Sequence, residues 1–193
     1  MSGDQFSLFD TPAPAPAGPE GLRYRTDLLN TDEERALIGE LQSLAFKPFE
    51  FQGFLGKRRV VSFGWRYDFN DRGMAPAEPL PDYLEPLRDR AAAFAELEPA
   101  SLEHVLVTEY APGAPIGWHR DRPEFDKVVG VSLGSPCTFR MRRKQGAKWE
   151  RYSFTAQPRS VYLLDGPARR EWEHSIPEVE ALRYSITFRT LRR

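Results

Sequence analysis

The 193-residue chain has one cysteine, three histidines and a net charge of only −1. Each shortage excludes something. The single thiol, Cys137, cannot form an internal disulfide, which fits a reducing cytoplasm. In its apolar surroundings it reads as a packed side chain rather than a nucleophile. No stretch reaches the roughly 20 apolar residues that a membrane-spanning helix needs. The N-terminus lacks the basic segment followed by an apolar one that marks a secretory signal. No internal repeat is found. A charge near zero means that no overall field draws the chain to nucleic acid. Positive charge is local instead, in Lys57-Arg58-Arg59, in Arg140–Lys144 and at Arg192-Arg193. The two internal clusters are either solvated surface or phosphate contacts. What is present is an ordinary globular composition, 40% apolar and 28% charged. It suits one domain with a sizeable core, and a monomer is expected.

Residues 1–21 read as a disordered tail. Residues 11–21 form a proline/alanine linker with few groups to bury. Ahead of it, Gln5-Phe6-Ser7-Leu8-Phe9 is either a tail that docks on its own domain or a short linear motif. It resembles the pentapeptide by which many bacterial DNA-metabolising proteins bind the replication sliding clamp. The folded part spans 22–193. Thr31 and Glu34 are spaced as a capping box. Leu37, Ile38, Leu41, Leu44 and Ala45 then recur at helical spacing to about residue 45. A second helix is expected over 82–96, with Pro86 in its first turns. Between them, residues 49–69 are aromatic and punctuated by glycine. Phe63, Trp65, Tyr67 and Phe69 alternate like a strand with one apolar face.

From 103 onward the pattern changes. Short strands are expected at 104–110, 127–133, 137–143, 149–155, 160–164, 171–175 and 181–189. Parted by Gly, Pro and Asp, they suggest a barrel or double-sheet jelly roll. The fold class is therefore α+β, mainly β, with the N-terminal helices of 22–102 packed on a jelly-roll core of 103–193. In the last strand Leu182, Tyr184, Ile186 and Phe188 share one face, and Arg183, Ser185, Thr187 and Arg189 the other. If the second face lines the barrel, two guanidinium groups meet a cavity, which is costly without anions. At about 3.3 Å per residue they stand roughly 20 Å apart, so both must lean inward to grip one small dicarboxylate.

The candidate chemistry lies in His119 and Asp121, two apart and so on one side of a strand, with His174 arriving from a distant strand. Two imidazoles and a carboxylate can hold iron(II) on one face and leave the opposite face open. His104 reads as structural. Trp118 and Trp172, beside the two histidines, read as shields of the site. Asp165 or Glu173 is a candidate to orient the His174 ring.

These residues fall in a telling order: Leu106–Gly113, Gly117-Trp118-His119-Arg120-Asp121, Val131–Pro136, Glu173-His174, then Arg183 and Arg189 with five residues between. Together they resemble the AlkB-like family of iron(II)- and 2-oxoglutarate-dependent dioxygenases, over about 103–190. The resemblance implies a double-stranded β-helix, iron(II) on His119, Asp121 and His174, and 2-oxoglutarate and O2 as cosubstrates. It implies that Arg183 and Tyr110 meet the distal carboxylate of 2-oxoglutarate. Arg189 would lie near the chelating end, close to Asp121, with Thr108 and Ser185 as nearby polar contacts.

Three departures bear on the substrate. Thr108 stands where DNA-repairing members have asparagine. Pro123 stands where many base-dealkylating members have an acidic residue, with Glu124 as its neighbour and substitute. Residues 164–174 are similar to branches that act on RNA or protein. The implied reaction is oxidative dealkylation of a base in single- or double-stranded DNA or RNA, releasing formaldehyde, succinate and CO2. Residues 49–69 would form a lid over the flipped base, with Trp65 and Tyr67 stacking and with Lys57–Arg59, Arg142 and Arg143 on phosphates. The same chemistry on a protein, and a catalytically idle binding module, are the alternatives.

Overall fold

A computed structural model describes residues 18–51, 54–68 and 73–193, with backbone alone at 50, 51, 54, 55, 66–68, 73 and 74. The expectations for Gln5–Phe9, for Phe69 and for the Tyr67 side chain lie outside the described residues. In chain order the elements are β1 (Leu22–Arg25), α1 (Thr31–Gln42), β2 (Lys47–Phe51), β3 (Phe54–Phe63), β4 (Trp65–Asp68), β5 (Gly73–Pro76), α2 (Glu85–Ala95), β6 (His104–Tyr110), β7 (Ile116–His119), β8 (Phe125–Leu133), β9 (Cys137–Gln145), β10 (Lys148–Ala156), β11 (Ser160–Leu164), α3 (Gly166–Arg170), β12 (Glu173–Ile176) and β13 (Arg183–Leu191). None of the helices among the described residues is long and apolar enough to cross a membrane.

Local chemistry explains the boundaries. The cap of α1 sits one residue earlier than the spacing suggested. The Asn30 side chain accepts from the amides of Asp32 and Glu33, and the Glu33 carboxylate returns to the Asn30 amide. Glu34 is thereby free to turn inward, where it accepts from the Gly134 amide and from Arg159. A turn of 3-10 helix at Asp82–Leu84 leads into α2. Pro86 falls in the first turn of α2, where its missing N–H has no helical partner to lose. Phe63 and Trp65 do not belong to one continuous strand. Gly64 separates them at φ 73°, and a Cβ there would lie 2.2 Å from the Glu103 carbonyl oxygen, so only glycine fits.

The strands form a seven-stranded sheet, ordered β1-β11-β8-β13-β6-β3-β2, facing a four-stranded sheet, β10-β9-β12-β7; β4 and β5 pair separately. All these pairs are antiparallel. This is the jelly roll expected, with strands added at the first sheet's edges by β1, β2 and β3. Alternation along β13 decides what each face does. Tyr184, Ile186 and Phe188 point outward and join Val105, Val107, Val129, Val131, Val161 and Leu163 in a core closed by α1 and α2. Fully burying side chains of this size contributes about 1.5–3 kcal/mol each. Arg183, Ser185, Thr187 and Arg189 point between the sheets and are buried there. A second apolar cluster, with Phe139, Met141, Tyr162, Leu164 and Trp172 among its members, shares that interior.

Candidate metal centre

Directly opposed residues on neighbouring strands share a face, so register builds the site in rows. Arg183 stands opposite Tyr110. Ser185 stands opposite both Thr108 and Ser132. Thr187 stands opposite Gly130, and Arg189 opposite His104. Gly130 also faces Tyr162, whose ring lies so close that a Cβ on Gly130 would fall 2.1 Å from it. That missing side chain lets the phenol lie between the sheets.

The two arginines of β13 meet different surroundings. Arg183 is 0% exposed. Its Nε donates to Ser132 Oγ at 3.2 Å, and its guanidinium carbon lies 4.9 Å from the Tyr110 ring centroid. Its Nη1 and Nη2 are buried and have no hydrogen-bond partner among the described residues. A buried cation left so costs several kcal/mol unless an anion meets it. Arg189 is fully engaged. Its Nε and Nη2 donate to Asp121 Oδ1 at 2.9 and 2.7 Å, and its Nη1 lies 3.3 Å from His104 Nδ1.

Across the interior, His119 on β7 pairs directly with His174 on β12, and their ring centroids are 4.3 Å apart. Strand β7 ends at His119, so Asp121 does not share that strand with it. It enters from the following loop, held by Arg189. Ligand atoms of His119, Asp121 and His174 all lie within 4.8 Å of one another, and His174 Nε2 is 3.6 Å from Asp121 Oδ2. His119 Nδ1 lies 2.9 Å from the Gly117 carbonyl, which only accepts, so Nδ1 carries the hydrogen and Nε2 keeps its lone pair. Burial, then the neighbouring imidazole, holds His174 down to about 3; burial likewise lowers His119. Both rings are neutral near pH 7, as a metal ligand must be. Burial alone would raise the Asp121 carboxyl, but the Arg189 guanidinium beside it outweighs burial and holds it ionised.

Several expectations land elsewhere. Glu173 does not orient His174: one residue away on a strand it faces the other side and receives Arg142 at 2.6 Å. Asp165 caps α3 and pairs with Lys127. Trp118 also turns away from His119, under Arg140 and Arg142, so it does not shield the ligands. The His174 ring instead stacks on Phe139 at 5.3 Å. Arg143 is engaged by Glu150 and Glu171. Lys57 lies near Glu178, and Arg59 pairs with Glu109; Arg58 covers Phe49. Trp65 opens β4 and is half-buried. Glu124 borders a cavity of about 460 Å³ with Pro123, Leu191 and Arg192, and its Oε2 is buried without a partner among the described residues.

Sequence reasoning missed Ser132, His104 as the partner of Arg189, and Arg169. Arg169 is buried and donates to the carbonyls of Arg122 and Phe125, fixing the loop that carries Asp121. Its partners lie 47 and 44 residues away, so no local spacing marks them.

The donor set of two neutral imidazoles and one carboxylate fits iron(II), and the orphaned Arg183 guanidinium fits a carboxylate ligand. Such a site in a jelly roll defines the facial-triad class of non-haem iron oxygenases. Comparison with known proteins agrees. The model of the 2OG-Fe(II) oxygenase superfamily matches residues 29–189. An alpha-ketoglutarate-dependent dioxygenase AlkB homolog of Caulobacter vibrioides is 30% identical over 161 residues, covering 74% of this chain and 71% of that protein. An alkylated DNA repair protein ALKBH8 homolog of Arabidopsis thaliana is 25% identical over 90% of this chain, which spans 56% of that protein's length. The solved structure of OsALKBH1 shares the fold with a TM-score of 0.68 at 19% identity, covering 88% of this chain and 96% of that one. A Pseudomonas putida prolyl-4-hydroxylase does so with a TM-score of 0.60 at 18% identity, over 90% and 93%. The chain belongs to the 2OG-Fe(II) oxygenase superfamily and is an AlkB-like dioxygenase, using iron(II), 2-oxoglutarate and O2.

Proposed function

We propose that this enzyme oxidatively dealkylates an N-alkylated base in DNA or RNA. The observation that carries the cosubstrate half is the buried guanidinium of Arg183, whose two terminal nitrogens have no hydrogen-bond partner among the described residues, on the same strand face as Arg189. His119, Asp121 and His174 are assigned to iron. Arg183 and the Tyr110 hydroxyl are assigned to the distal carboxylate of 2-oxoglutarate, because a buried cation favours a charged acceptor. Thr108, Ser185 and Ser132 offer hydroxyl hydrogen bonds on the same inward face. Arg189 holds Asp121 ionised and pointing at the metal position. Iron(II) with 2-oxoglutarate and O2 supplies oxidation of a substrate C–H bond, and an oxidised N-methyl carbon leaves as formaldehyde. The protein's own share is placement and exclusion of water.

The nucleic-acid half is supported by relatives named for alkylated DNA repair and, in a Danio rerio protein 33% identical over 118 residues, for probable RNA/DNA demethylation. In this reading Trp65 and Tyr67 belong to the lid that stacks on the base, Glu124 to its edge, and Arg142 to a phosphate. Arg143, already paired with two carboxylates, is the weakest of these assignments. Gln5–Phe9 is proposed as a tether to a sliding clamp, a tie that ends if the clamp is captured equally by Leu8→Ala/Phe9→Ala protein.

The deciding experiment follows formaldehyde and succinate on methylated single-stranded DNA, duplex DNA, RNA and methylated peptides. Release from a nucleic acid is expected. Release from peptides alone would replace this reading with protein demethylation. Absence of iron and 2-oxoglutarate binding would replace it with a binding module.

A further inference from the structure

The four-stranded sheet has two faces with different tasks. Its inner face carries His119 and His174. Its outer face carries Arg140, Arg142 and Lys144 from β9, Trp149 and Arg151 from β10, and Trp118 from β7, by the alternation that buries Cys137, Phe139 and Met141. Arg142 is stacked between two indoles, 4.4 Å from the centroid of Trp118 and 4.3 Å from that of Trp149. Arg140 covers the same Trp118 at 5.1 Å and donates to Ser175.

Charge on this face is one-sided. Four cations share one carboxylate, Glu173, which is taken by Arg142. Arg140, Lys144 and Arg151 have no carboxylate partner among the described residues, in a chain whose net charge is −1. The concentration is therefore local and not a property of the whole surface. Between the cations runs a groove of about 610 Å³, with Trp118, Arg140, Arg151 and Ser153 in its lining. Trp149, on the same outer face, stands 39% exposed, one of two large apolar side chains so exposed among the described residues. A row of cations beside an exposed, guanidinium-braced indole is the chemistry that holds a single nucleic-acid strand: phosphates on the cations, a base on the ring.

We propose that this outer face binds the single strand flanking the reacting base. Arg140, Lys144 and Arg151 meet its phosphates, and Trp149 stacks on one unpaired base. The proposal rests on the base-dealkylation reading and adds to it a second contact outside the barrel. The wall is shared: Trp118 is the residue before His119, and Glu173 the residue before His174, so strand and metal centre lie on opposite sides of one sheet. Neither phosphate contacts nor stacking on a ring distinguish ribose from deoxyribose, so both sugars enter the test.

Unmodified, fluorescently labelled single-stranded DNA, single-stranded RNA and duplex DNA are titrated by anisotropy across salt concentrations. The proteins are wild type, Lys144→Ser/Arg151→Ser and Trp149→Ala, all on exposed positions. We expect the double variant to lose about ten-fold in single-strand affinity, with a salt slope shallower by about 1.4, at roughly 0.7 per lost phosphate contact. Trp149→Ala is expected to lose about five-fold or more on single strands and little on duplex. Succinate formation in the absence of nucleic acid should match wild type in both. Wild-type binding with unchanged affinity in both variants overturns the surface and leaves base dealkylation standing. Wild type that binds no nucleic acid and releases formaldehyde only from peptides overturns both.

Discussion

Arg183 and Arg189 share one strand, one face and near-complete burial, yet the protein treats them as opposites. Arg189 is met by Asp121 and His104. Arg183 has a single hydroxyl on its Nε and nothing on its terminal nitrogens among the described residues. A cation paired inside the chain is a construction element, here a brace for a metal-ligand carboxylate. A cation left unpaired in the interior is a binding site, because the free energy spent on burying it returns only with a ligand.

The comparison breaks most completely at Asp121. Asp121→Asn turns Arg189 into a second unpaired arginine. Succinate formation should fall to background, and the metal-free protein should lose about 3–5 kcal/mol of stability in denaturant melts. Arg189→Met breaks the same pair from the other side at similar cost. The double variant should recover part of the loss, since no lone charge remains; strictly additive losses would mean the pair is not coupled.

Arg183→Met should do the reverse. Without ligand, the protein should be as stable as wild type or more so, by about 1 kcal/mol or more. Addition of 2-oxoglutarate should no longer raise its melting temperature, and half-saturation should rise about 100-fold, in the range for removing one partner of a buried charge pair. A loss of stability without ligand would show that Arg183 is structural after all.

His104→Phe tests the brace one contact further out. It removes one hydrogen bond to Arg189, worth about 0.5–1.5 kcal/mol. Iron affinity should weaken only a few-fold, and 2-oxoglutarate affinity should not change. Smallest of all, Glu33 joins the α1 cap to Arg90, whose side-chain hydrogen bond, with that to Asn30, lowers its carboxyl from 4.5 to about 2. A carboxyl lowered on folding contributes stability that is present above pH 4.5 and lost as pH falls toward 2. Glu33→Gln should flatten stability over that window and leave it unchanged in shape near neutrality.

Much of this was legible before the structure. The alternation of β13 placed two arginines on one common face, and the spacing of His119, Asp121 and His174 named one candidate centre. Strands at 104–110 and 160–164 coincide with β6 and β11. What escaped has physical reasons. Strand β7 is four residues long, too short to show a period, so Asp121 was placed on a strand rather than in the loop beyond it. The cap fell on Thr31 because asparagine caps as well as threonine does, and two overlapping spacings competed. Glu173 looked close to His174 in sequence, but adjacent strand residues point to opposite sides. Ser132 and Arg169 meet their partners across 44 to 51 residues, and only strand register brings them there.

By itself, the sequence determined which groups could do chemistry: two imidazoles, one carboxylate, two arginines on one face of one strand, and compact clusters of cations. Periodicity is a local property, and local properties are written residue by residue. Tertiary structure decided which arginine is satisfied and which is left waiting, and which face of the sheet Trp118 and Arg142 occupy. Pairing and burial depend on distances between segments far apart in the chain. The strength of a charge interaction is set by those distances and by how much water lies between.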